Sequence, residues 1–280
     1  MIPIIKIENE RGEVLNLSTD PRYTPFLTGT GPPPATINRA KASTSDGTNV
    51  NSTTVDERPL TLQVFLRRDV AKARLNLYRW LATKKQITVY YSCDGLEVFT
   101  QGYVETVDAD PWQQNQFVQA SIICPRPYWR EMTETYTNAS NVEALFEFEL
   151  ETDDVGVELS AIDVDTSTII QNNGTVEAGV TFVLTATTQC TNPRIYNLST
   201  GEFIGCWTTL QQGDRLEIRT VTGSKEVTHI RNGVRTNYIN TMMEGSQWLQ
   251  MAIGANEYSY TVDAGECELG IYYTNEYVGV

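Results

Sequence analysis

A single histidine limits the acid–base chemistry that this sequence can offer. His229 is the only imidazole in the chain, so a Ser/His/Asp or Cys/His centre would have to use it. It stands within an alternating apolar and polar run, and no GxSxG nucleophile elbow accompanies it. The chain also lacks the GxxxxGK(S/T) loop that cradles phosphates. We therefore predict no catalytic residue, and we interpret His229 as an ordinary strand residue.

Metal ligands are equally sparse. The cysteines are odd in number, widely spaced and without a CxxC pair: Cys93, Cys124, Cys190, Cys206 and Cys267. This pattern favours small buried side chains over a disulfide framework or a zinc site. An acidic run between Asp153 and Asp165 offers oxygen ligands that would suit calcium, but it lacks the DxDxDG spacing of a calcium loop. Solvated acidic turns are the preferred interpretation, and we predict no metal and no cofactor.

Abundant carboxylates and aromatic residues leave two alternatives open. Glycoside hydrolysis needs two carboxylates at a set separation across a sugar, and abundance alone does not establish that arrangement. A sugar could also stack on an exposed tryptophan, with Trp207 and Trp248 as the candidates. The surrounding SQWL sequence favours a core anchor for Trp248. Carbohydrate binding and glycoside hydrolysis therefore remain as alternative functions.

Negative charge is confined to the second half of the chain. Residues 1–140 carry 15 Lys and Arg against 15 Asp and Glu, whereas residues 141–280 carry 6 against 20. The net charge of −14 repels nucleic-acid phosphates, which argues against specific nucleic-acid binding. No apolar run approaches the roughly 18 to 20 residues of a membrane helix, and the first residues do not resemble a signal peptide. We expect synthesis in the cytoplasm without membrane insertion.

The first 135 residues predict a β-sheet with one helix, an α+β arrangement. The helix follows a strand at Leu60–Leu66, and Asp69 is its predicted N-cap. Its apolar face, at steps of three and four residues, consists of Val70, Ala73, Leu77, Trp80 and Leu81. The other predicted strands are Ile4–Ile7 with Val14–Leu17 in one hairpin, Ile87–Tyr91 with Val98–Val107 in another, and Phe117–Cys124.

The stretch Thr28–Pro59 interrupts this pattern. It is rich in Gly, Pro, Ser, Thr and Asn, and it shows little periodicity. Its composition predicts a long loop or an extended arm. A loop of this length without a core of its own is usually functional or disordered. We interpret it as an arm that reaches a neighbouring subunit in an assembling protein.

Residues 136–280 predict an antiparallel β-sandwich of roughly ten strands. Asn232-Gly233 lies between two runs of period two and is a strong hairpin signal, because both residue types tolerate positive φ. In the acidic alternation Phe146–Glu151 one face should be buried and the other solvated. The chain therefore divides into domains 1–135 and 136–280.

Two series of residues give the sequence a specific resemblance to a known family. The first follows the order NPxIxN, tGE, GDxLxIxT, NG and WLxxxxGxN, and it comprises Asn192, Pro193, Ile195, Asn197, Gly201, Glu202, Gly213, Asp214, Leu216, Ile218, Thr220, Asn232, Gly233, Trp248, Leu249, Gly254 and Asn256. The second closes the first domain and comprises Cys124, Pro125, Pro127, Tyr128 and Trp129. In order and spacing the chain strongly resembles the distal tail proteins of long-tailed bacteriophages, over nearly all its length.

This resemblance implies both a fold and a structural function. It implies a galectin-like sandwich for the second domain and a ring of six copies formed by the first domains. Such a ring links the tail tube to tip, baseplate and receptor-binding proteins, and DNA passes through its channel without specific binding. We therefore expect a structural protein of the distal tail of the virion, assembled in the bacterial host cytoplasm, and not an enzyme. A carbohydrate-binding or host-adhesion module of the tail is the alternative.

Overall fold

The computed structural model describes residues 2–41, 46–112, 114–139 and 167–280, which form two compact units. The N-terminal unit is Met1–Met132 together with Glu276–Val280, and the sandwich unit is Thr133–Asn275. The last five residues, which the sequence analysis assigns to the second domain, thus belong to the N-terminal unit. The alternation Phe146–Glu151 and the acidic run from Asp153 to Asp165 lie outside the described residues.

The N-terminal unit contains one large sheet, a helix and an exposed hairpin. Its strands are β1 (Ile4–Asn9), β2 (Val14–Asn16), β3 (Tyr23–Thr28), β4 (Ala35–Ala40), β5 (Asn49–Val55), β6 (Arg58–Leu66), β7 (Gln86–Cys93), β8 (Leu96–Ala109), β9 (Phe117–Cys124) and β10 (Trp129–Glu131). The sheet has the order β2-β1-β7-β8-β9-β6-β3, and all of these pairs are antiparallel. Strand β10 pairs with β8 and with a strand from the end of the chain, Glu276–Tyr277. The predicted sheet is confirmed, together with both of its hairpins.

The strands of this sheet alternate between a buried and a partly exposed face, as pleated strands must. In β6 the fully buried positions are Arg58, Leu60, Leu62, Val64 and Leu66. The four apolar side chains belong to the core of the unit. The fifth inward-facing side chain is that of Arg58, and a buried arginine at the start of a strand is unusual because its guanidinium needs hydrogen-bond acceptors.

The described residues contain one α-helix, α1 (Val70–Trp80). Ala73 and Leu77 are fully buried in the same core as Leu81, which confirms the predicted apolar face. The predicted capping by Asp69 is wrong, because its side chain makes no hydrogen bond to the first turn. The backbone of Asp69 is left-handed (φ 48°, ψ 46°), whereas a capping side chain needs an extended backbone to reach the free N–H groups.

Strands β4 and β5 pair only with each other, and we call this hairpin the arm. The composition of Thr28–Pro59 predicts a long loop or an extended arm, and the structure shows regular strands with a β-bulge at Asn38/Arg39. Every described residue in the two strands is exposed. Without a buried face no apolar alternation is needed, so the sequence carries no strand signal.

The sandwich unit contains two antiparallel sheets and a small accessory pair. Its strands are β11 (Thr135–Asn138), β12 (Thr168–Asn172), β13 (Ala178–Ala186), β14 (Cys190–Thr191), β15 (Arg194–Asn197), β16 (Glu202–Gly205), β17 (Thr209–Leu210), β18 (Arg215–Arg219), β19 (Glu226–Arg231), β20 (Val234–Asn237), β21 (Gln250–Met251), β22 (Gly254–Thr261) and β23 (Cys267–Tyr273); the strand Glu276–Tyr277 is β24. The larger sheet has the order β11-β23-β13-β18-β19-β20, and the smaller has the order β12-β22-β15-β16. A 3-10 turn spans Ile239–Thr241.

The core of the sandwich unit lies between these two sheets. Phe182 of the larger sheet and Tyr258 of the smaller are both fully buried, with ring centroids 5.3 Å apart. Asn232 and Gly233 have φ angles of 50° and 80° in the tight turn between β19 and β20. The predicted antiparallel sandwich is therefore confirmed. Among the described residues we find no helix with the length and apolarity that crossing a membrane requires.

Candidate functional site

Within the described residues, no three His, Cys, Asp or Glu side chains come together as a metal site. His229 in β19 pairs with Asp214, and its Nε2 lies 3.1 Å from Asp214 Oδ2. The two side chains are only 5% and 4% exposed, so a substrate has no access to the pair. The His229 ring also packs against Tyr238, with centroids 4.7 Å apart. This environment is that of a strand residue in a packed core.

Asp214 stabilises the β18–β19 hairpin through hydrogen bonds. Its carboxylate accepts hydrogen bonds from the backbone N–H of Gln211 at 2.8 Å and from Arg231 at 2.9 Å and 2.5 Å. The bonds from Arg231, then the bond from Gln211 and the nearby His229, hold the pKa of this carboxyl well below its usual range against the opposing effect of burial. Gly213, with φ 84°, turns the chain into this position. The Gly213-Asp214 pair of the sequence motif thus acts as an anchor for the hairpin.

The asparagines of the same motif hold loops in place. Asn256 is fully buried and bonds both the N–H and the carbonyl of Ala252, at 2.9 Å and 2.7 Å. These two bonds close the loop in which Gly254 adopts φ 94°. Asn192 has a left-handed backbone (φ 53°) and leads directly into the buried Pro193. These residues thus determine the conformation of the loops: Asn256 by its hydrogen bonds, and Gly254 and Asn192 by their positive φ angles.

The two candidate tryptophans differ in their exposure. Trp207 is 57% exposed, and the guanidinium carbon of Arg194 lies 5.8 Å from its ring centroid. Trp248 is partly buried against the sandwich core, with Lys225 Nζ 5.6 Å from its ring centroid. Trp248 is therefore placed as an anchor, whereas Trp207 keeps an open aromatic surface.

In the N-terminal unit, the side chain of Arg58 is fully buried. Within the described residues it meets no carboxylate, and its guanidinium donates hydrogen bonds to main-chain carbonyls alone. These acceptors are Pro127 at 2.6 Å, Gly29 at 2.9 Å, Thr30 at 3.2 Å, Val278 at 2.7 Å and Gly31. Burial lowers the pKa of Arg58. One side chain thus joins both ends of the arm to the proline-rich segment and to the C-terminal residues.

The Cys-Pro-x-Pro-Tyr-Trp segment completes this cluster. Trp129 is fully buried, lies 5.4 Å from the Arg58 guanidinium carbon, and donates from Nε1 to the Thr30 carbonyl at 3.1 Å. Cys124 ends β9, and burial raises the pKa of its thiol to about 11. Pro125 follows at the surface and turns the chain away from the sheet. We call the whole cluster the arm base: Gly29–Gly31, Arg58, Pro127–Trp129 and Val278–Val280.

Two glycines show how closely the arm base is packed. A Cβ atom on Gly29 would lie 2.2 Å from the carbonyl oxygen of Pro59, and φ at Gly29 is 84°. A Cβ atom on Gly279 would lie 2.9 Å from the carbonyl carbon of Gly31. The N–H of Val280 also donates to the Thr30 carbonyl at 3.0 Å. These contacts fix the direction in which the arm leaves the unit.

The arm itself offers a surface that no other described part of the chain covers. Its exposed side chains include Ile37 (55%), Val50 (60%) and Val55 (46%). An isolated two-stranded hairpin is only marginally stable in water, so further contacts would stabilise it. The arm is therefore the element of the N-terminal unit best suited to bind another chain.

Two open sheet edges supply the complementary kind of surface. Strands β2 and β3 lie at opposite edges of the large sheet. Val14 on β2 is 55% exposed and Phe26 on β3 is 61% exposed. Unpaired edge strands can pair with another chain, and Pro25 removes only one donor from β3.

Neither Arg58 nor the arm base is among the residues predicted from the sequence. Sequence nevertheless contains a signal, because Arg58 stands two residues before Leu60 and four before Leu62 in an alternating strand. Period-two alternation directs all three side chains to the buried face. A buried arginine requires many acceptors, and only the folded chain shows which carbonyls provide them.

Two family models match the chain, and together they cover most of both units. Residues 10–123 match a phage tail protein RIFT-related domain. Residues 173–277 match the C-terminal domain of a siphovirus-type tail component. A comparison with curated proteins finds no match.

Solved structures of phage tail components share the fold. The crystal structure of the SPP1 Dit protein, described as a paradigm of the hub adsorption apparatus in phages that infect Gram-positive bacteria, has a TM-score of 0.68 at 13% identity, over 97% of this chain and 98% of that chain. Two structures of the phage P2 baseplate in its activated conformation, one with Ca and one with Sr, have TM-scores of 0.57 and 0.56 at 11% identity, over 100% of both chains.

Proposed function

The chain belongs to the siphovirus distal tail protein family, and we propose that it is the subunit of a closed ring at the distal end of a long non-contractile phage tail. The family is one of structural tail and baseplate components, and membership assigns the chain to the tail of the virion. In this proposal six copies form the ring through domain 1–135. A central channel then lets DNA pass without specific binding, and assembly takes place in the cytoplasm of the bacterial host.

The arm on its fixed base is the observation that carries this proposal. Its strands expose apolar side chains that no other part of the described chain covers. The arm base holds both ends of the hairpin through a buried arginine, so the arm is presented in one direction. A preorganised element binds at a lower cost in conformational entropy than a disordered segment does. This combination supports docking onto a neighbouring copy.

If the arm of each subunit docks onto the next subunit, the repeated contact can form a closed ring. The arm and its receiving surface are different patches of the same chain, so the contact is heterologous and repeats from copy to copy. It closes into a ring when the rotation returns to the first subunit. The edge strands β2 and β3 provide backbone groups for such a contact by strand addition.

The same ring would join different neighbours on its two faces. We propose the tail tube protein on one face, and tip, baseplate or receptor-binding proteins on the other. The charges of residues 1–140 balance, whereas residues 141–280 carry 6 basic against 20 acidic residues. Neither half has the excess of basic residues that holds DNA, which suits a channel through which DNA moves.

Exposed apolar residues of the arm allow a direct test. The double variant Ile37→Ser/Val50→Ser removes apolar surface from the arm without touching a buried residue. Val234→Ser is the matched control, because Val234 is 65% exposed on β20 in the sandwich unit. Sedimentation velocity at equal concentrations should show a ring for the wild type and for the control. The arm variant should shift towards single subunits.

The opposite pattern would contradict the proposal. If the arm variant kept the same oligomer as the wild type at low concentration, the arm would not carry the ring contact. The circular dichroism spectrum of each variant must match that of the wild type, since the changed residues are all exposed.

Glycan binding at Trp207 is a second candidate function, and one observation favours it. Trp207 exposes 57% of its surface, which leaves an aromatic face free for stacking on a sugar. A glycan array with the wild type and with Trp207→Ala tests it. Binding that survives the substitution, or its absence from the wild type, would rule out this site.

A further inference from the structure

A cleft of about 350 Å³ lies on the outer face of the larger sandwich sheet. This volume is in the range of small-molecule sites. Its walls consist of side chains from neighbouring strands and from the residue before β11: Glu134, Thr181, Val183, Arg215, Glu217, Arg219, Ile230 and Tyr272. Most of these side chains are polar, so the cleft suits a polar ligand.

Strand register explains why these side chains meet. Arg219 of β18 lies opposite Thr181 of β13, which in turn lies opposite Tyr272 of β23. Cross-strand partners share one face of a sheet. Arg215 and Arg219 are four residues apart in a strand, so they face the same side with Glu217 between them.

The charges of the sandwich half make this pair of arginines exceptional. Residues 141–280 contain only six basic residues. Arg194, Arg231 and Arg235 each pair with a carboxylate, at 2.6 Å, 2.5 Å and 3.0 Å, and Lys225 lies over a tryptophan ring. The other two are Arg215 and Arg219, for which the described residues provide no ion-pair partner.

The guanidinium of Arg219 also has an unsatisfied donor. Its Nε atom is buried and has no hydrogen-bond partner in the described part of the chain. Buried donors in native proteins are nearly always satisfied, so this unpaired one marks a guanidinium whose donors are not all used within the described residues. Glu217, which stands between Arg215 and Arg219 in the strand, pairs with Arg235 at 3.0 Å.

We propose that this cleft binds a small sugar that carries one carboxylate or phosphate group. The anionic group lies between Arg215 and Arg219, whose planar forks suit the oxygens of carboxylates and phosphates. The sugar ring lies along Tyr272, whose own ring is 4.7 Å from that of Tyr136 and forms an aromatic surface with it. Glu134 at the rim is an acceptor for a sugar hydroxyl. This site is separate from Trp207 and does not depend on ring formation.

Isothermal titration calorimetry on the full-length chain at low salt tests the site. The probes are glucose 6-phosphate and glucuronate, with glucose as the neutral control and inorganic phosphate as the control without a sugar. At least one anionic sugar should bind about tenfold or more tightly than either control. A charge-assisted hydrogen bond accounts for a difference of that size from glucose, and the contact of the sugar ring with Tyr272 accounts for the difference from inorganic phosphate.

Variants connect the binding to the residues. Arg215→Gln/Arg219→Gln should weaken binding of the anionic sugar about tenfold or more. Arg67→Gln, which removes an exposed arginine of the N-terminal unit, should leave it unchanged. If the double variant has a lowered thermal midpoint, Arg215→Gln alone replaces it, because Arg215 is exposed and no described contact depends on its charge.

Four results would overturn the proposal. In the first, neither anionic sugar binds. In the second, binding persists in the arginine variants. In the third, inorganic phosphate binds as tightly as the sugar phosphate, which indicates an adventitious anion site. In the fourth, a tetraglutamate peptide binds in an arginine-dependent manner while the sugars do not. That outcome assigns the cleft to a protein contact.

Discussion

Replacing Arg58 by methionine tests whether one buried guanidinium organises the arm base. Methionine keeps much of the aliphatic stem and removes all donors. The carbonyls of Gly29, Thr30 and Gly31, together with those of Pro127 and Val278, then lose the donor that they share. Arg58 has no exposed surface, so water does not replace these bonds without a rearrangement of the packing.

The expected cost follows from two opposing effects. Each hydrogen bond to a charged group contributes about 1.5 to 3 kcal/mol. Nη1 has only two hydrogens for the three carbonyls of Gly29, Thr30 and Gly31, so the guanidinium makes four full hydrogen bonds, which amount to roughly 9 kcal/mol. Burying a guanidinium away from water costs several kcal/mol, which offsets about half of that sum. Arg58→Met should therefore lower the free energy of unfolding of the N-terminal unit by about 3 to 5 kcal/mol.

Urea unfolding with a tryptophan-fluorescence signal measures this loss, because Trp129 lies in the arm base. Arg67→Met is the matched control. Arg67 is also placed over an aromatic ring, 5.6 Å from the centroid of Phe65, and makes one bond to Thr24 Oγ1 at 3.0 Å, but it is exposed. The control should cost less than about 1 kcal/mol. Equal losses for the two variants would refute the reasoning about the arm base.

Three further substitutions probe single contacts. Thr220→Val removes a buried hydroxyl that accepts from the N–H of Val180 at 2.9 Å and donates to its carbonyl at 3.0 Å. In urea unfolding this should lower the free energy of unfolding by about 1 to 3 kcal/mol. The control Thr222→Val, at an exposed position, should lower it by about 0.5 kcal/mol or less. Asp214→Asn should make the stability of the sandwich unit depend less on pH in acid. The lowered pKa of Asp214 contributes stability above the ordinary Asp pKa of about 4, and this stability is lost as pH falls towards the folded-state pKa. The thermal midpoint of the wild type should therefore fall more steeply below about pH 4 than that of the variant. Gly29→Ala should lower the thermal midpoint and Gly31→Ala should not, because a Cβ meets a main-chain carbonyl at 2.2 Å in the first case and open space in the second.

Alternation and turn chemistry predict most of the strands. Phe117–Cys124 begins and ends where the sequence indicates, because every second side chain is buried. The β19–β20 hairpin follows from Asn232-Gly233, whose positive φ angles fit few other residue pairs. The helix face is predicted by its three- and four-residue spacing. These are local signals, and local signals are present in the sequence itself.

Features that depend on distant contacts escape the sequence. The arm has no buried face, so its strands leave no alternation to detect. Asp69 carries a preferred capping side chain but adopts a left-handed backbone that places it out of reach. Arg58 receives acceptors from residues as far along the chain as Val278, and no local pattern brings these together.

The motif residues illustrate the same division within the candidate site. Gly213 and Gly254 show by their type that the backbone needs positive φ there. The sequence does not show that Asp214 is buried with Arg231 as its partner. The two residues lie on opposite strands of a hairpin, so only the folded chain brings them together. The cleft arginines are still less predictable, because Arg215 and Arg219 look like any solvated strand face until the pairing of all six basic residues is known.

Native mass spectrometry of the 280-residue chain over a range of concentrations determines whether it forms a closed ring. A subunit has a mass of 31.4 kDa, and the account predicts a closed species of six times that mass, which the double substitution in the arm converts to single subunits. A chain that remains at 31.4 kDa at every concentration would contradict the account.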